Sequence, residues 1–117
     1  MALVAALAVG VGGSVGALAR YAVGNAIERR GLDTFTVNVL GSFVLGVVLA
    51  VGLGDTARLA FGVGFCGAFT TFSSFAVESV RLAEDESVGV AAVYATGTLV
   101  VALLAVVLGS EIGAAIA

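Results

Sequence analysis

The sequence contains no histidine and no lysine, and only 11% of its residues are charged, against about 25% in an ordinary globular domain. Each absence removes a class of chemistry. Without histidine there is no Ser–His–Asp or Cys–His set, and no acid pair falls within one apolar run. General acid–base and nucleophilic catalysis therefore lack their usual groups, and an enzyme is not expected. Without lysine, the glycine-rich stretches cannot form a phosphate-binding loop, which needs Gly-Lys-Ser/Thr. The arginines are scattered and the net charge is −3, so there is no basic patch to suit a nucleic acid. Cys66, the single cysteine, permits no internal disulfide and reads as a small buried hydrophobe.

What is present in excess is apolar. Such residues make up 61% of the 117, against roughly 45–50% in soluble domains. A chain this short cannot cover that much apolar surface with polar groups, so lipid is the expected solvent. The apolar residues fall into four runs, roughly 2–19, 35–53, 59–77 and 88–108. Each approaches the ~20 residues that a helix needs to cross ~30 Å of hydrocarbon. Backbone groups in lipid must bond internally, so unbroken runs of this length are helices. The strict alternation of barrel strands is absent. The first run lacks a basic flank of the kind a signal peptide carries, and is expected to remain as a span.

The expectation is an all-α membrane protein with four transmembrane helices in a single domain over residues 1–117. Short loops at about 28–34, 54–58 and 81–87 carry most of the charge. Arg29, Arg30 and Arg81 fall on one side and Arg58 on the other. That bias is slight; it would place both termini outside and is small enough for insertion in either direction.

Each span carries a polar or small-residue pattern. Gly12, Gly16, Arg20 and Gly24 recur at spacing four in the first, a face that lets a neighbouring backbone approach. Arg20 lies near the end of its run, either snorkelling to the interface or setting a positive charge in a vestibule. In the second span Thr34, Asn38, Ser42 and Gly46 form one stripe, and the Asn38 amide needs a partner there. Packing and pore lining explain it equally. Tyr94 and Thr98 share a face of the fourth span, as a polar track or as helix-packing groups.

The third span is the most unusual. Its stretch "GFCGAFTTFSSF" (64–75) has no charge and no proline. Gly62, Gly64 and Gly67 each lower helix propensity by about 1 kcal/mol relative to alanine. Thr70 and Thr71 add hydroxyls that compete for backbone bonds. A helix interruption near residues 67–71 is predicted, and the carbonyls it frees would need a partner such as a cation. Phe72 and Phe75 share a face beyond the break, whereas Phe61 and Phe65 read as plain core. Glu78, near the end of the span, reads as an interfacial cap or arginine partner rather than a proton carrier.

The polar inventory is thus uncharged: Asn38, Ser42, Thr70, Thr71, Ser73, Ser74, Tyr94 and Thr98, with aromatic edges beside them. Ring edges carry partial positive charge. Such a lining suits a small anion that must bind well enough to enter and weakly enough to leave. Four helices enclose little room, so a dimer is expected.

Three motifs resemble the Fluc (CrcB) fluoride ion channels: "GGSVGALARY" (12–21), "TFTVNVLGSFVLG" (34–46) and "GFCGAFTTFSSFAVE" (64–78). With Tyr94 and Thr98 the resemblance covers nearly the whole chain. It implies an antiparallel, dual-topology dimer, of two copies of this chain or of this chain with a homologous inverted subunit. It also implies two narrow pores for passive export of cytoplasmic fluoride. Phe72, Phe75 and Asn38 would line the ion pathway, with Ser73, Ser74, Tyr94 and Thr98 supplying hydroxyls and Arg20 at the vestibule. Gly67 and Thr70 would offer carbonyls to a structural sodium ion (Na+) at the dimer interface. The chain departs from the family pattern at Asp33, Ala68, Ser74, Ala76 and Ala102; the last removes a hydroxyl one turn past Thr98. Two other readings stand beside this one. A small proton-coupled multidrug exporter would need Glu78 as its carboxylate, and a non-transporting assembly subunit would need only the glycine faces.

Overall fold

A computed structural model describes residues 2–117, and the described residues are helical almost throughout. Helix α1 is Ala2–Ala26 and α2 is Leu32–Ala50. The third span, Asp55–Asp85, consists of several pieces. A turn, α3 (Asp55–Arg58), leads into a π-helical stretch (Leu59–Cys66) and a further turn, α4 (Gly67–Phe69). After the break comes α5 (Ser73–Asp85), and α6 (Val88–Ile116) closes the chain. All four spans are long and apolar enough to cross a membrane, and the molecule measures 49 × 29 × 24 Å. The chain is a multi-pass membrane protein of four helices, the third of them broken.

The helices outrun the apolar runs. Helix α1 continues past Arg20 to Ala26, because arginine and alanine are good helix formers and nothing in between stops the helix. Helix α6 starts where Ser87 caps it, accepting the Val90 N–H at 3.0 Å, and runs past Leu108 to Ile116. The third loop shrinks accordingly, since Arg81–Asp85 is still helical.

Glycine decides which helices pair. Helix α1 packs on the first arm of the third span, and α2 packs on α6. A Cβ at Gly12 would strike the Ala60 carbonyl, and one at Gly16 the Phe65 carbonyl. Gly64 faces the Val9 carbonyl from the opposite side. In the second pair Gly46 abuts the Val106 carbonyl, Gly109 the Phe43 carbonyl and Gly113 the Val47 carbonyl. These are backbone-to-backbone approaches of the kind that drive association where lipid is as apolar as the side chains. Gly24, on the same stripe as Gly12 and Gly16, meets open space.

This contrast makes a prediction. Gly109→Val should destabilise the protein by at least the ~1–3 kcal/mol of a typical overpacking change, because the obstacle is backbone. Gly24→Val should be nearly silent. Thermal unfolding of both variants in one detergent checks the pair; equal midpoints would contradict the packing.

The phenylalanines of the first arm divide. Phe65 is half-buried and stacks on Phe69, with centroids 5.4 Å apart. Phe61 is 53% exposed and is therefore not core, contrary to expectation. A helical stripe tells which residues share a face, not whether a neighbour covers it. Cys66 is buried, as its size and apolar character imply.

Candidate ion pathway

The break spans residues 70–72, where Thr70 turns extended (φ −85, ψ 166) and α5 begins at Ser73. Such a break strands backbone polar groups that lipid cannot satisfy. Asn38, one helix away on α2, takes up two of them. Its Nδ2 donates to the Thr71 carbonyl at 3.0 Å, and its Oδ1 accepts the Thr71 N–H at 2.8 Å. The side-chain amide pairs with the peptide much as a second strand would. Thr71 then caps α5, its Oγ1 accepting the Ser74 N–H at 3.1 Å.

These bonds have a consequence for two carbonyls. In a continuous helix the Thr71 N–H would go to Gly67 and the Ser74 N–H to Thr70. Both donors are diverted instead, to Asn38 Oδ1 and Thr71 Oγ1. Thr70 itself directs its N–H and hydroxyl to the Cys66 carbonyl, at 3.0 and 2.8 Å.

A cavity of 420 Å³ opens beside the break. Asn38, Ser42, Thr71, Phe72, Phe75 and Thr98 contribute to its wall, and Gly67 and Thr70 belong to the same lining. Among the described residues, no charged side chain lines it. One hydrogen on Asn38 Nδ2 remains beyond the bond to Thr71. Thr98 Oγ1 is buried and makes no hydrogen bond among the described residues. Phe72, 79% exposed, stands at the rim. Its ring lies 6.0 Å from that of Phe75, tilted by 46°. Phe75 stacks in turn on Tyr94, with centroids 5.9 Å apart. Ala102 also lines the cavity and offers a methyl rather than a hydroxyl.

Other residues singled out in the sequence lie elsewhere. Ser73 and Ser74 line a neighbouring, more polar cavity of 310 Å³ with Arg30, Asp33, Thr34 and Glu78. Arg20 reaches the same region, donating from its guanidinium to Ser74 Oγ at 2.8 Å. Tyr94 sits between the two groups and donates its hydroxyl to the Gly31 carbonyl at 3.2 Å. It lines a third cavity, of 350 Å³, that shares Thr98 with the first and has Arg29 and Arg30 in its wall.

Glu78 is held on both oxygens. Oε1 accepts Arg30 Nε at 3.0 Å, Oε2 is 2.6 Å from the Arg81 guanidinium, and the carboxylate side chain is 9% exposed. A carboxylate so engaged is a structural anchor and is poorly placed to pick up and release protons. The sequence flagged an arginine partner without naming one. Arg81, at spacing three, was the local signal; Arg30 was not foreseeable, being 48 residues away.

The model of the family described as CrcB-like protein, Camphor Resistance (CrcB), matches residues 7–110. The chain belongs to the CrcB family. Its CrcB relatives include fluoride-specific ion channel FluC 2 of Natronomonas pharaonis, 60% identical over 116 residues that cover 99% of this chain and 100% of that protein. A protein of the same description from Haloarcula marismortui is 49% identical over 108 residues, 91% of each chain. One from Bacillus thuringiensis subsp. konkukian is 36% identical over 116 residues, 95% of this chain and 98% of that one.

Proposed function

We propose that this chain forms a passive, fluoride-specific channel, acting as a dimer with an inverted copy of itself or of a homologue. The observation that carries the reading is the uncharged cavity beside the break. It gathers an amide N–H, a buried hydroxyl with no partner among the described residues and the rings of two phenylalanines in one wall. An unpartnered buried hydroxyl is costly unless something visits it. A small anion that sheds water would find uncharged donors there and no fixed cation to trap it. The names of the full-length relatives supply the choice of fluoride over other small anions.

The rim position of Phe72 and the openness of the cavity fit a lining completed by a second subunit. Export then needs no energy source beyond the electrochemical gradient, and no residue need turn over a bond. Gly67 and Thr70 fit a sodium ion, since their carbonyls have lost their helical donors and hard cations take uncharged oxygen ligands. Such an ion would neutralise the carbonyl dipoles at the break and fix the two arms of the third span. Arg20, bonded to Ser74 at the start of α5 beside the neighbouring polar cavity, would supply the positive charge of a vestibule there.

The test is efflux from vesicles that contain this chain alone. Fluoride should leave rapidly and chloride hardly at all. Equal rates for the two anions would defeat the reading.

A further inference from the structure

One set of contacts lies at the loop end of the bundle, outside the lining of the cavity beside the break. Gly31 adopts φ +88, a left-handed conformation that side chains resist. It is wedged between two groups. A Cβ built there would lie 3.5 Å from Glu78 Oε2 and 3.6 Å from Tyr94 Cε1. Its carbonyl accepts the Tyr94 hydroxyl at 3.2 Å. Arg30, the residue before it, is tied to Glu78, and Glu78 to Arg81 on the next turn of α5. The contacts therefore run without a gap from Arg81 through Glu78, Arg30 and Gly31 to Tyr94, and from the Tyr94 ring to Phe75 and Phe72.

We propose that the Arg30–Gly31 segment, anchored on Glu78, is a positioning element that holds Tyr94 against Phe75 and so sets the width and polarity of the pathway at that ring. It rests on the channel reading for its functional consequence, though not for its geometry. With the segment latched, the Tyr94 proton is committed to the Gly31 carbonyl, and the ring backs Phe75 as a fixed wall. With Arg30 released, the Gly31 carbonyl keeps its bond from the Phe35 N–H at 2.9 Å but loses the side-chain tie that fixes the segment on Glu78, so the Tyr94 hydroxyl meets a less fixed acceptor and the Phe75 ring a looser support. Arg30 touches no part of the cavity beside the break; it acts through Tyr94.

The chain offers its own reporter. It contains no tryptophan and two tyrosines, and Tyr21 is 70% exposed, so a Tyr21→Phe background leaves Tyr94 as the single tyrosine emitter. In that background Arg30→Gln should lower the anisotropy of Tyr94 emission, and Arg30→Lys, which keeps the charge, should restore most of it. In fluoride efflux, Arg30→Gln should slow release roughly 3- to 10-fold, and Tyr94→Phe should do the same. The double variant should be no slower than either single one, because both changes cut the same connection. Additive losses, or an unchanged anisotropy in Arg30→Gln, would overturn the proposal. The anisotropy decides the positioning role even in a protein that carries no fluoride. A wild-type chain without flux but with the expected anisotropy change would sink the channel reading and leave the latch standing.

Discussion

Phe75→Ile should slow fluoride release from vesicles by about tenfold or more, the factor that corresponds to roughly 1.4 kcal/mol of lost stabilisation along the route. Phe75 is half-buried, with one ring neighbour at the cavity rim and another, Tyr94, behind it. In the proposed channel an anion passing between Phe72 and Phe75 would meet ring edges, where the quadrupole is positive. Isoleucine fills a similar volume with no quadrupole, so the wall stays closed while its attraction disappears. Because the substitution is close to volume-conserving at a partly exposed site, unfolding should shift little, by less than about 1.5 kcal/mol. Phe65→Ile is the control. Phe65 stacks on Phe69 and lies outside the cavity lining, so its replacement should leave release unchanged. A normal rate in Phe75→Ile would remove that ring from the pathway. Equal slowing by both substitutions would mean that the helix, not the ring edge, had been damaged.

Much of this arrangement was legible in the sequence, and what escaped did so for identifiable reasons. The four spans follow from apolar run length alone, since a backbone in lipid has few options. The break near residues 67–71 followed from clustered glycine and threonine, and it is observed at residues 70–72. The glycine faces at Gly12, Gly16 and Gly46 pack as their spacing implied, but the same spacing gave Gly24 a role that no neighbour fills. Periodicity names a face and is silent about who meets it. Phe61 failed for the same reason. The π-helical winding of Leu59–Cys66 had no signal at all, because it depends on which carbonyls the packed helix can reach. Contacts between distant segments were the other blind spot. Arg30 with Glu78, Tyr94 with Gly31, and Asn38 with the Thr71 peptide each join residues more than thirty positions apart. The sequence showed that Asn38 and Glu78 needed partners and could not say which.

Asn38 carries the second large effect. Asn38→Ala removes both bonds to the Thr71 peptide and strands a donor and an acceptor in a half-buried site. Leaving a buried polar group unpaired costs about 1–3 kcal/mol, so the pair should cost roughly 2–6 kcal/mol. Fluoride release should fall to background, because Thr71 also caps α5 and thereby aims Phe72 and Phe75. Asn38→Asp separates the two roles of the amide. One carboxylate oxygen can still accept the Thr71 N–H, but the other faces the Thr71 carbonyl, and a negative charge now lines an anion route. That variant should retain more of its thermal stability than Asn38→Ala and yet conduct no better. Thermal unfolding in detergent and fluoride efflux, run on both variants, check the ordering. Wild-type stability in Asn38→Ala would show that the clamp is dispensable. Only an amide offers a donor and an acceptor side by side, as a peptide does, which is why a serine or threonine of the same stripe could not hold this break. The hydrogen left on Nδ2 is then the one donor of Asn38 free for an anion, so in the proposed pathway the residue would serve the ion only while it also holds the backbone in place.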